Sequence, residues 1–254
     1  MSERASEGRF YVERLPGTDE PFGLPPAESA HAAGSRRLAV GGLLTLFDGS
    51  GWDLTAEIVE VSKRRLVVKP AARRRVGSPL PFTLTCATAL PKGSRDDVLV
   101  SKCAELGVTR LVPVEFERSV VHASVHWEKR KARYRRLAIE AAKQSGASTV
   151  MEFADPVDFA SLVADGVRGL RLVGLIGAQT GVFEALRSGW PFESVLCLVG
   201  PEGDITAKER DAALAAGFTG VTLAPTVLRV ETAATAFAAV VAAFAAGKAG
   251  PKGA

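Results

Sequence analysis

Apolar and polar residues alternate through the first third of the chain. Leu43–Phe47 is a short apolar run that ends at the turn Asp48-Gly49-Ser50-Gly51. Leu54–Val61 keeps strand periodicity, Ser62–Arg64 reads as a turn and Leu66–Lys69 returns, which predicts a β-hairpin. Phe82–Ala87 supplies a further strand, after a polar connection that holds Arg73-Arg74-Arg75 and Gly77. A small β-barrel over residues 1–80 accommodates these elements.

From about Leu84 the rhythm changes to strand, loop, helix. Leu84–Leu90, Leu111–Phe116, Leu170–Ile176, Ser194–Val199 and Phe218–Leu223 have the length and content of strands. Ser94–Leu106 and His126–Ser145 read as helices, closed by Gly107 and Gly146 in the position after the last turn. Thr206-x-x-Glu209 is a capping box that opens a helix ending near Gly217, and Thr232–Ala246 is the last helix. Alternating strands and helices predict an α/β domain over residues 81–248, with a mostly parallel sheet covered on both faces. Residues 249–254 are expected to form a disordered tail.

Composition narrows the class. Of 254 residues, 47% are apolar, enough to bury a core. Cys86, Cys103 and Cys197 are odd in number and widely spaced, which argues for buried thiols and against a disulfide framework or a zinc site. His122 and His126 lack the acid or cysteine partners of a metal site, so no metal is expected. The Ala-rich stretch Ala233–Ala246 falls short of the roughly 20 apolar residues of a spanning helix. The polar start, Met1 to Phe10, has no apolar signal core. A cytoplasmic protein with no membrane partner is the expectation. A formal charge of +4 favours a polyanionic partner only where cations cluster. They do so at Lys63-Arg64-Arg65, at Arg73-Arg74-Arg75, and along Lys129, Arg130, Lys131, Arg133, Arg135 and Arg136. Lys129 and Arg133 are accordingly candidate RNA contacts.

In open α/β sheets, ligands bind beyond the carboxyl ends of the strands. Three loops occupy such places: Gly177–Gly181, Gly200–Asp204 and Ala224–Glu231. The spacing of Gly174, Gly177 and Gly181 does not match the dinucleotide fingerprint, and no P-loop is present. Within these loops stand Gly200-Pro201-Glu202-Gly203 and Leu228-Arg229-x-Glu231-Thr232-Ala233.

This pair resembles the RsmE family, knotted (SPOUT-class) enzymes that methylate N3 of a uridine in 16S ribosomal RNA. The likeness extends along nearly the whole chain. His31, Arg37 and Phe47-Asp48-Gly49 resemble the family's first-domain pattern. Lys92-Gly93, Lys102 and Glu105-Leu106-Gly107 match its K-G…K-x-x-E-L-G segment, Arg118 its E-R, and Glu140 to Gly146 its E-A-x-x-Q-x-G stretch. The resemblance implies a PUA-like β-barrel followed by an α/β domain with a trefoil knot, and a homodimer. It implies S-adenosyl-L-methionine (SAM) held by Leu175, Ile176, Gly177, Gly200, Pro201, Glu202, Gly203, Leu223, Leu228 and Thr232. It further implies RNA contacts at Arg9, His31, Arg37 and Arg118, with 16S rRNA of the small ribosomal subunit as partner. Arg229 and Glu231 flank the cofactor loops and are the candidate catalytic pair. Glu231 would take the N3 proton while Arg229 holds the uracil oxygens or a phosphate. Asp204, Ala224 and Val230 depart from the family, which has glycine, glycine and threonine there. Two alternatives remain: a SAM-dependent enzyme of the same fold acting on another RNA, and a non-catalytic RNA-binding or ribosome-assembly factor.

Overall fold

The computed structural model describes residues 6–26, 28–29, 38–62, 65–166 and 168–248. His31, Arg37, Lys63 and Arg64 lie outside the described residues. So does the segment from residue 249 on, for which a disordered tail was expected. The chain divides into two compact units: residues 1–79 with 142–150, and residues 80–141 with 151–254. The short segment 142–150 therefore groups with the first unit, although it lies well inside the second half of the sequence.

The first unit is a five-stranded sheet in the order β1-β3-β4-β5-β2. Its strands are β1 (Arg9–Tyr11), β2 (Phe22–Gly23), β3 (Leu43–Phe47), β4 (Trp52–Val61) and β5 (Leu66–Arg75). β4 shows the period of two, with Leu54, Ala56 and Ile58 buried. They join Phe10, Leu44, Leu46, Leu66 and Val68 in one core. The β4–β5 hairpin closes where the Ser62 amide donates to the Arg65 carbonyl (2.8 Å). β5 runs past Lys69 to Arg75, so Arg73-Arg74-Arg75 is strand and not a connection; Asp53 pairs in register with Arg74. Three exposed arginines are tolerated there because the backbone ladder to β4, not side-chain burial, holds the strand end.

The second unit is a sheet in the order β12-β10-β11-β6-β7-β8, with β9 alongside β7 and every pairing parallel. The strands are β6 (Thr83–Thr88), β7 (Arg110–Glu115), β8 (Glu152–Phe153), β9 (Val157–Asp158), β10 (Leu170–Gly174), β11 (Ser194–Val199) and β12 (Thr219–Val221). β6 is one strand of this sheet; the reading of Phe82–Ala87 as a barrel strand is corrected, since it pairs with β7 and β11. β11 is buried along almost its whole length, as a central parallel strand with both faces covered must be.

The helices are α1 (Arg95–Glu105), α2 (Trp127–Ser145), α3 (Phe159–Ala164), α4 (Val182–Gly189), α5 (Ala207–Ala215) and α6 (Val230–Lys248). α6 packs against α1, α4, β6 and β11, while α3 packs against α5, β7 and β9. The sheet is thus covered on both faces. α6 starts two residues earlier than expected and continues to Lys248. It buries Val230, Ala233, Ala234, Phe237, Val241 and Phe244, a helical stripe of period 3.6. By length and apolarity α6 is also a candidate membrane span, but that stripe packs within this unit. Cys86 on β6 and Cys197 on β11 are register partners, and Cys103 on α1 hydrogen-bonds Cys86. All three thiols are free and buried; the hydrogen bond with Cys86, then burial, holds the Cys103 thiol well above the usual thiol range, and burial does the same for Cys197.

Candidate active site

The chain leaves β6 for β7 and β8, then crosses to β10 on the far side, and β11 fills the slot between β10 and β6. That reversal puts the carboxyl ends of β10, β11 and β12 side by side, where an open parallel sheet forms a crevice. A cavity of about 490 Å³ lies there. Its walls are residues 174–177 after β10, residues 199–202 with Asp204 after β11, and residues 222–230 after β12, closed by Ala233 of α6. The volume lies within the roughly 300–1,000 Å³ of small-molecule sites. Among the described residues, no group of three or more His, Cys, Asp or Glu side chains is placed to hold a metal.

Local chemistry shapes each wall. A Cβ on Gly200 would come within 2.4 Å of Cγ1 of Ile205, so only glycine lets the chain turn there. Asp204 takes a left-handed backbone (φ 64°), a conformation that favours glycine, the residue the resemblance leads one to expect there. Its carboxylate accepts from the Ile205 amide (2.8 Å), and its own amide donates to the Pro201 carbonyl (3.0 Å). Thr206 and Glu209 form the expected capping box at the start of α5. Oε1 of Glu209 also accepts from the Glu117 amide (2.8 Å), fixing the loop that carries Arg118. Arg118 then lies over the cavity loop and donates to the Gly203 carbonyl (3.2 Å).

Leu175, Ile176, Gly177, Gly200, Pro201, Glu202, Leu223 and Leu228 all line the cavity, together with Arg229. Gly203, Thr232 and Glu231 are not among the lining residues. Gly203 faces Arg118, and Thr232 is exposed. Glu231 is 8% exposed, and its Oε2 is buried without a hydrogen-bond partner. Its Oε1 lies 4.0 Å from Nη1 of Arg95. Arg229, by contrast, is exposed at the cavity's edge. Ile176 and Val227 are exposed apolar side chains on two of the walls.

The candidate RNA contacts differ in what already engages them. Lys129 is exposed near the start of α2. Arg133 is held by Asp96 (2.5 Å) and Asp97 (3.1 Å) of α1, and Tyr134 donates to Asp96 as well (2.6 Å). Burial and the adjoining Asp96 carboxylate push the Tyr134 hydroxyl well above its ordinary pKa. In the first unit Arg9 forms a two-pronged pair with Asp53 (3.0 Å for each prong), donates to the Ala147 carbonyl (3.0 Å) and lies over the Phe47 ring. Arg9 is thus fastened within the first unit, whereas the Arg133 side chain is paired with α1 but 39% exposed. His122 pairs with Glu115 (3.7 Å). Arg95 is the residue that sequence reasoning missed. It sits two residues beyond the matched Lys92-Gly93, in a first helical turn where a cation ordinarily signals nothing.

Residues 78–242 match the RNA methyltransferase domain family. This chain belongs to that family. Among curated proteins, this methyltransferase chain is similar to ribosomal RNA small subunit methyltransferase E of Synechocystis, with 32% identity over 78% of this chain and 65% of that protein. It is likewise similar to the enzyme of the same name from Mycobacterium bovis, with 31% identity over 89% of this chain and 87% of the relative. Among solved structures, that of ribosomal RNA small subunit methyltransferase E from Neisseria gonorrhoeae, bound to S-adenosyl methionine, superposes with a TM-score of 0.79. It is 29% identical and matches 95% of this chain and 97% of its own.

Proposed function

We propose that the protein uses SAM to methylate N3 of a specific uridine in 16S rRNA of the small ribosomal subunit. One observation carries the reading. The two motif loops, through Gly200-Pro201-Glu202 after β11 and through the segment leading to Arg229 after β12, wall one cavity at the carboxyl ends of two parallel strands that flank β10. The wall chemistry fits SAM. Glycine, proline and aliphatic residues dominate, which suits a flat adenine and an uncharged ribose held by backbone groups.

When bound, SAM supplies an electrophilic methyl group on a sulfonium. The chain must present the uracil N3 in line and keep water out. N3 lies on the Watson–Crick edge, so the uridine enters unpaired or flipped out. N3 loses its proton and attacks the methyl carbon as the carbon–sulfur bond breaks, giving N3-methyluridine, the thioether product and one proton. Arg229, exposed at the cavity's edge, offers its guanidinium to the uracil oxygens as negative charge gathers there. The buried position of Glu231 beside Arg95 supports an anchoring role at the first turn of α6 over that of general base.

The same reading includes a PUA-like role for the first unit and a trefoil knot in the second. It also includes a homodimer, supported by the apolar Val98 of α1 and Phe183 of α4 left exposed, and work in the cytoplasm, where ribosomal subunits are made. Titration calorimetry with SAM tests the cofactor assignment. Saturable binding is expected, and no heat at millimolar cofactor would overturn it. Arg229→Ala should bind SAM as the wild type does while transfer falls about 100-fold. Full transfer by that variant would remove Arg229 from the step.

A further inference from the structure

A single guanidinium stands between a carboxylate on one wall of the cavity and a buried carboxylate in the first turn of α6. Arg95 opens α1. Its Nη2 donates to Oε1 of Glu202 in the Gly-Pro-Glu-Gly loop (3.0 Å). Its Nη1 lies 4.0 Å from Oε1 of Glu231, in the first turn of α6. Its Nε donates to the Lys92 carbonyl (3.1 Å), and the Lys92 amide itself approaches Oε1 of Glu202 (3.4 Å). All three nitrogens of Arg95 are therefore directed, which a mobile surface arginine does not show. The turn that carries it is fixed as well, because the next residue, Asp96, is buried and bonded to Tyr134 and Arg133.

The electrostatics favour one purpose. Glu202 lines the cavity, and Glu231 is a buried carboxylate with one oxygen lacking any hydrogen-bond partner. Without an intervening cation, the two negative groups would push the Gly-Pro-Glu-Gly loop away from the start of α6, and the buried charge would lose its nearest compensation. We propose that Arg95 is a positioning residue: it clamps Glu202 against the start of α6 and so holds the Gly-Pro-Glu-Gly wall in its cofactor-binding position. The clamp acts on binding geometry and not on the reacting atoms, so its loss should raise KM for the cofactor and leave kcat nearly unchanged. The proposal rests on the SAM-dependent reading above.

The test compares wild type, Arg95→Met, Arg95→Lys, Glu202→Gln and the double variant Arg95→Met/Glu202→Gln. Arg95 is partly exposed, so the expected loss is modest: about tenfold in SAM affinity for Arg95→Met by calorimetry. Arg95→Lys should be intermediate, since it keeps charge and loses the fork. Glu202→Gln, a change on an exposed loop, should reproduce the loss. The double variant should be no worse than Arg95→Met alone. In the ligand-free protein, the Asp204 amide should exchange hydrogen faster in Arg95→Met than in wild type, because its bond to Pro201 lies within the clamped loop. Unchanged affinity and exchange in Arg95→Met, or strictly additive losses in the double variant, would overturn the clamp. Absence of SAM binding by wild type would instead sink the functional reading, while the exchange comparison still decides the clamp.

Discussion

A methyl group added to Gly200 would lie 2.4 Å from Cγ1 and 3.0 Å from Cδ1 of Ile205. Ile205 is itself buried in the core shared by β7, β11 and α5, so it has little room to yield. Gly200→Ala should therefore destabilise the protein by about 1–3 kcal/mol. Thermal or urea unfolding measures this, and Ile205→Ala in the same chain should return part of the loss. An unchanged stability would mean that the turn relaxes freely. Asp204 shows the opposite case, a residue that replaces an expected glycine yet keeps the left-handed turn. Its side chain accepts the next amide, so the local hydrogen bond offsets part of the conformational cost.

At the scale of elements, the sequence made some features plain and hid others for physical reasons. Gly107 and Gly146 carry the positive φ of residues that end helices, and the capping box of α5 stands where Thr206 and Glu209 predicted it. These are local signals. β1, β2, β8 and β9 have two or three residues each, and α3 six, too few for any period to register. The cavity loops were legible because glycine and proline follow apolar runs. The partners of Arg133 and Arg95 were not, because Asp96 and Glu202 lie far away along the chain and only the fold brings them near.

Asp53 of β4 gives an element-level prediction. Burial raises its pKa, but hydrogen bonds from Arg9 and Ser148 and the charges of Arg9 and Arg74 outweigh burial and hold it below the usual carboxylate value. A carboxyl depressed in the folded state stabilises above its unfolded pKa, near 3.8, and that contribution is lost as pH falls through the lower folded value. Replacing Asp53 with Asn should weaken the tie between β1, β4 and Ser148 at neutral pH and flatten the stability profile below about pH 4. Denaturant unfolding of both proteins between pH 2 and 7 reads the difference; parallel profiles would exclude Asp53 as a source of acid sensitivity.

The chain as a whole comprises a first unit whose sheet is largely antiparallel, with β1 parallel to β3, and a parallel second unit with a cavity at the point where strand order reverses. Membership in the RNA methyltransferase family and the likeness to named small-subunit enzymes agree with that cavity. The basic residues that remain free for RNA are fewer than the sequence suggests. Arg9 and Arg133 are engaged in internal pairs, Arg73 donates to the Pro16 carbonyl and Arg74 lies 3.7 Å from Asp53, while Lys129 and Arg75 are exposed. The most direct measurement supplies methyl-labelled SAM and this protein to hypomethylated small ribosomal subunits and maps the labelled base. Label is expected at N3 of a single uridine in 16S rRNA; label at another atom or on another RNA, or none while SAM still binds, would contradict the proposed function.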